Sequence, residues 1–280
     1  MAHLSKPKSS TISGFTLVEM LVIAPLVLLL IGGIVASMVQ ATGEVVSVRA
    51  KNNLTYNLQD ALNRVENDIE LSVGFLATTD TAFDINTPQG VNNNTQDFVN
   101  ASSTDSSLLL AVPLTTKGPT DSTRQLVYLA NNPNACTHAN VTNNRVMTGV
   151  VAYFVKDNTL WRRLILPPNY LTAGCASPWQ QPSCQPGIAG AFCKTEDIEL
   201  LSGVSGDNFN IAYFTNASSS SPISSAANSS NSHAVRQSGL SSATTAEVSI
   251  TSEIKAGGDN ISQNMKARST RIYKGSEYTP

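Results

Sequence analysis

From Met20 to Val39 the chain runs for twenty residues without a charged side chain. A helix of that length rises about 30 Å, enough to cross the hydrocarbon core of a bilayer. The preceding segment, MAHLSKPKSSTISG, is polar and carries Lys6 and Lys8. Lysines on that flank place residues 1–14 on the cytoplasmic side of the cytoplasmic membrane and direct the C-terminal bulk outward. Glu19 breaks the pattern at the start of the apolar run, where insertion scales assign a carboxylate about 2.5 to 3.5 kcal/mol at the bilayer centre. Such an acid needs a partner. A cut between Gly14 and Phe15 supplies one, because the new Phe15 amine is positive and Glu19 becomes the fifth residue of the product. The two are within reach along one helix. In staggered copies the amine of one chain can instead neutralise Glu19 of another, and the cost of an unpaired charge then guides docking. Val39 and Ala41 form a passable secretory cleavage site, but this apolar run exceeds the usual length of roughly 7 to 15 residues. A plain signal anchor accounts for the hydropathy but not for Glu19 or for the glycine before Phe15. Pro25, Gly32 and Gly33 weaken the helix locally, so a kink or melted turn is expected, although membrane helices tolerate both residue types.

Gly14, Phe15, Thr16, Leu17, Val18 and Glu19, followed by the apolar run, resemble the class III signal of type IV prepilins and pseudopilins. The resemblance implies that a prepilin peptidase cuts after Gly14 and methylates the amine of Phe15, and that Glu19 assists docking with other pilin or pseudopilin subunits through the pilus assembly machinery. It further implies a pilin-like α+β fold, with a long N-terminal helix packed on an antiparallel sheet. The expected organisation is a cleaved leader at 1–14, a transmembrane and filament-core helix at 15–40, an amphipathic helix at 41–76 and an extracytoplasmic β-rich domain at 77–280.

The amphipathic part rests on Leu58, Leu62, Val65, Ile69, Val73 and Leu76, spaced as one helical stripe between polar residues. Gly74 is a plausible stop. Beyond it, strand-like runs occupy 108–112, 125–130, 150–156, 159–166, 198–204, 209–214, 246–254 and 267–274. Asp157 and Asn158 join two of these runs as a hairpin with left-handed turn residues. Alternation puts Trp161, Arg163 and Ile165 on one face, gives Arg163 a structural or cation–π role, and turns Arg162 to solvent. Segments 78–107 and 167–190 read as loops. The Ser/Asn-rich stretch 215–245 is too polar to build a core and reads as a flexible surface loop. A looser resemblance, carried by DNTLWRRLI, LLSGVSGDNFNIAYF and AEVSITSEIK, is to the sheets of the W-type minor pilin and the J-type pseudopilin. Large size and long loops favour a minor, tip-associated pilus subunit. The alternatives are a pseudopilin of type II secretion, a tip adhesin or DNA-uptake subunit, and a signal-anchored surface protein that never polymerises.

Cys136, Cys175, Cys184 and Cys193 form an even set, which in an exported chain fits two disulfides, with three possible pairings. The C-x8-C-x8-C spacing lacks the close pairs of structural zinc sites, even with His138 near Cys136. Full-chain charge is −2, and loss of Lys6 and Lys8 takes it to −4. That balance argues against bulk binding to nucleic acid. Lys266, Arg268, Arg271 and Lys274 form a local basic run, more simply read as a solvated strand face. No nucleophile, metal or phosphate-loop motif is present in the sequence, so a structural role is expected, with no catalytic residues, no metal, no cofactor and an unidentified surface ligand.

Overall fold

The computed structural model describes residues 16–77, 107–128, 146–166, 176–184, 186–187, 194–224 and 233–272. One helix, α1, runs from Leu17 to Leu71 over 55 residues, a length of about 80 Å. It passes through Pro25, Gly32 and Gly33 without interruption, so the expected melted turn does not occur. Its two halves live in different surroundings. Large apolar side chains from Leu17 to Val48 are exposed, whereas Leu54, Leu58, Ala61, Leu62, Val65 and Ile69 are buried.

The helix ends at Leu71, short of the expected residue 76. Ser72 leaves helical geometry, and its hydroxyl donates to the Ile69 carbonyl at 2.7 Å. The chain then enters strand β1, Gly74–Leu76, antiparallel to strand β2, Ser107–Pro113. Val73 and Leu76 mimic the helical stripe because an adjoining buried strand needs apolar residues too.

Strands β3, Thr148–Lys156, and β4, Thr159–Ile165, follow, then β5, Ser183–Cys184, β6, Thr195–Glu196, and β7, Ile198–Ser202. Next come β8, Phe209–Phe214, helix α2, His233–Ser241, β9, Thr245–Ala256, and β10, Asp259–Thr270. A five-stranded sheet has the order β1-β2-β3-β4-β7, and a three-stranded sheet the order β10-β9-β8. Every neighbouring pair in both is antiparallel, and β5 and β6 form a separate parallel pair. The result is an α+β chain whose buried stripe on α1 packs on antiparallel sheets. Leu108, Leu110, Val151 and Leu164 share its main core. Phe75 and Tyr213 bridge the two sheets edge to face at 5.2 Å.

Strand β10 runs beside α1 and in the same direction. Near its start, Gly257 sits against Gly43 and Ser47 of the helix. Near its end, the Ser269 hydroxyl donates to the Glu66 carbonyl and the Ile272 amide to that of Glu70.

Several expectations need correction. In the described part of the expected strand 125–130, residues 125–128, Leu126 and Tyr128 make only isolated bridges, to Thr115 and Val146. Among the described residues the last strand is Asp259–Thr270, so it starts well before the expected 267, because Gly257 and Gly258 turn the chain earlier, with φ of 64° and 92°; residues 273–274 of the expected run lie outside the described residues. The stretch 215–245 contains α2. Its Leu240 is buried, and Gln237 seals the β1 edge by accepting from the Ala77 amide at 2.9 Å and donating to the Phe75 carbonyl at 3.4 Å. Covering an edge in this way blocks strand addition.

Candidate functional site

The exposed half of α1 is the only helix among the described residues long and apolar enough to cross a membrane. Two of its hydroxyls are met locally. Ser37 donates to the Gly33 carbonyl at 2.9 Å, and Thr42 to that of Met38 at 2.9 Å, so these hydroxyls remain satisfied away from water.

Glu19 is met the same way. The Thr16 amide and hydroxyl each donate to Glu19 Oε2 at 2.9 Å, and the Glu19 amide donates to Thr16 Oγ1 at 3.3 Å. This reciprocal arrangement is a capping box, and it also sets a carboxylate at the positive end of the helix dipole. The Thr-x-x-Glu spacing of such a box is present at Thr16 and Glu19, but the sequence reading of Glu19 as a charge partner passed over it. Gly14 and Phe15 lie outside the described residues.

Two polar clusters tie the domain together. On the face of β3 and β4 toward α1, Asp68 accepts from Arg162 Nε at 2.7 Å and from the Tyr153 hydroxyl. Arg162 therefore faces the helix instead of solvent. Burial opposes its charge, but the Asp68 carboxylate raises its pKa above the ordinary guanidinium value. Burial first, then Asp68, pushes the Tyr153 phenol well above 10.0.

On the opposite face, Arg163 is wholly buried, donates through Nε and Nη2 to Asp197 Oδ2 at 2.9 and 2.6 Å, and lies over the Phe154 ring at 5.0 Å. Ser183 donates to Asp197 Oδ1 and accepts from the Leu164 amide, both at 2.9 Å. The structural and cation–π role expected of Arg163 holds. Its carboxylate partner was not foreseeable, because nothing in the spacing links residues 163 and 197. Cys184 next to Ser183 is buried and disulfide-bonded, while Cys136, Cys175 and Cys193 lie outside the described residues, as does His138.

The basic run is dispersed by its contacts. Arg268 donates to the Ser219 carbonyl at 2.6 Å and covers the Phe214 ring at 3.8 Å. Arg271, whose pKa burial lowers, donates to the carbonyls of Val73 and Ala243. Lys274 is outside the described residues. Among the described residues, no group of three His, Cys, Asp or Glu side chains could hold a metal ion.

No protein-family model matches the chain, and no curated protein matches it. The fold and the site define an α+β chain with an N-terminal helix long and apolar enough to span a membrane and a β-rich C-terminal domain.

Proposed function

We propose that this chain is a minor, tip-associated type IV pilin, a structural subunit processed between Gly14 and Phe15 and assembled through its N-terminal helix. The observation that carries the reading is the division of α1. Its C-terminal half is built into the domain core, while Leu17 to Val48 presents exposed apolar side chains that serve first as a membrane anchor and then as a packing surface between subunits. Disulfides among the four cysteines hold the downstream loops in the oxidising compartment.

The capping box sharpens the test of Glu19. Glu19→Ala removes both the cap and the charge, whereas Glu19→Gln keeps a capping acceptor and removes only the charge. Both variants are cut at Gly14, insert normally and enter sheared filaments about tenfold less than the normal chain, a loss of about 1.4 kcal/mol in docking. Mass spectrometry of the mature N-terminus, expected at N-methylated Phe15, is read in parallel. A chain intact at Met1, or one starting at Thr42, would remove the prepilin reading. Normal incorporation of Glu19→Gln would leave the capping role alone and end the charge-pairing one.

A further inference from the structure

A cleft of about 610 Å³ opens between the polar side of α1 and the segments that carry Thr115, Arg124 and Trp179. Its size lies within the ~300–1,000 Å³ range of ligand clefts. Val151 and Leu164 contribute apolar surface from β3 and β4, and Asp60, Asn63, Arg64 and Asn67 line it from the helix.

Trp179 is 55% exposed, yet it is held firmly. Its amide donates to the Thr115 carbonyl at 2.7 Å. The next residue, Gln180, accepts from the Thr115 amide at 2.9 Å and donates to its hydroxyl at 3.1 Å. The indole lies against Gly118, where a Cβ would come within 3.3 Å of Cε2 and Cζ2. A large aromatic kept at the surface by its own backbone is a preorganised contact surface, not a loose side chain.

We infer that this cleft binds a short oligosaccharide, with a pyranose ring stacked on Trp179 and its hydroxyls bonded to the side chains of Asn63, Arg64, Asn67 and Arg124. A pyranose ring offers an apolar C–H face to an indole and adjacent hydroxyls to planar amides, which supply a donor beside an acceptor, and to guanidinium groups, which supply paired donors. A purely apolar ligand leaves those polar groups unmatched. A compact anion meets Asp60 and Asp68 as well as the arginines. The inference does not depend on filament assembly, because the cleft belongs to a single chain.

The chain contains two tryptophans, Trp161 and Trp179, so Trp161→Phe leaves Trp179 as its own reporter. Detergent-solubilised full-length Trp161→Phe protein is titrated with maltotriose, chitotriose and sialyllactose, and with a pool of mixed-sequence peptides, while Trp179 emission is followed. At least one saccharide is expected to shift the emission saturably. Asn67→Ala and Arg64→Ala, both at exposed helix positions, should weaken that binding by about tenfold each, a change of about 1.4 kcal/mol, with unchanged circular dichroism. In calorimetry on the otherwise normal chain, Trp179→Ala abolishes binding and Trp179→Phe retains part of it. No saccharide response, a response unaffected by both helix substitutions, or a response to the peptides alone would overturn the assignment.

Discussion

Asp68 joins α1 to the five-stranded sheet through two donors on neighbouring strands, the Arg162 guanidinium and the Tyr153 hydroxyl. The phenol must stay protonated to donate, and its pKa in the fold is raised well above 10.0 by burial and by Asp68. The native state therefore holds this proton more tightly than the unfolded chain does. The stabilisation is complete below about pH 10 and is lost as pH rises beyond the unfolded value toward the folded one. Tyr153→Phe should cost about 1.5–3 kcal/mol at neutral pH, as expected for a hydrogen bond to a charged acceptor. It should also flatten the fall in stability that sets in above about pH 10. Urea midpoints of both proteins across that range check the prediction; an equally steep alkaline fall in the variant would assign the loss to other groups. Residue identity alone could not reveal this triad. Alternation along β4 correctly separated Arg162 from Arg163, but which face the helix would cover depends on tertiary packing, and that choice decided which arginine met Asp68.

Among the elements, the two hairpins show what local chemistry made legible. Asp157 and Asn158 both adopt positive φ, 51° and 57°, and the polar pair between two apolar runs announced that turn. Gly257 and Gly258 make the β9–β10 turn, a signal that the sequence reading passed over, because the strand after them reads DNISQNMKARST. Its polarity hid it, because one of its faces is solvated. Helix α2 was hidden for the same reason, since little more than Leu240 anchors it in a Ser-rich context. The glycine pair also separates backbone strain from steric contact. A Cβ on Gly258 meets open space, whereas one on Gly257 would come within 2.7 Å of the Gly43 carbonyl. Gly258→Ala should cost about 1–2 kcal/mol from its left-handed backbone alone. Gly257→Ala should cost more, since the turn must also lift from α1. Thermal unfolding of the two variants compares them directly, and equal losses would mean that the helix contact contributes nothing.

For the whole molecule, buried residues of α1 begin at Leu54, so the domain core does not draw on the apolar half. A chain lacking residues 1–42 should fold without detergent. Its thermal midpoint should fall within about 4 °C of that of the full chain, the shift produced by about 1 kcal/mol in a domain of this size. Circular dichroism and gel filtration test this; a collapse of the midpoint would show that the distal helix supports the domain. The division of labour was legible from hydropathy, because a change from continuous apolarity to a single stripe marks where lipid contact gives way to sheet contact. The alignment of β10 with α1 was not, since it arises from contacts more than two hundred residues apart in sequence.

That alignment has a mechanical consequence. Touching the helix near Gly43 at one end and near Glu66 and Glu70 at the other, the strand and its two flanks span about 35–40 Å of helix at 1.5 Å per residue. A pull on the N-terminal end of α1 reaches the domain as shear along this seam. Its contacts are loaded together, where a peeling force would break them in turn. The Gly257 turn is the heel of the joint, the first point at which a sideways deflection of the free helix meets resistance. A fold built this way resists tension along its long axis better than bending across it.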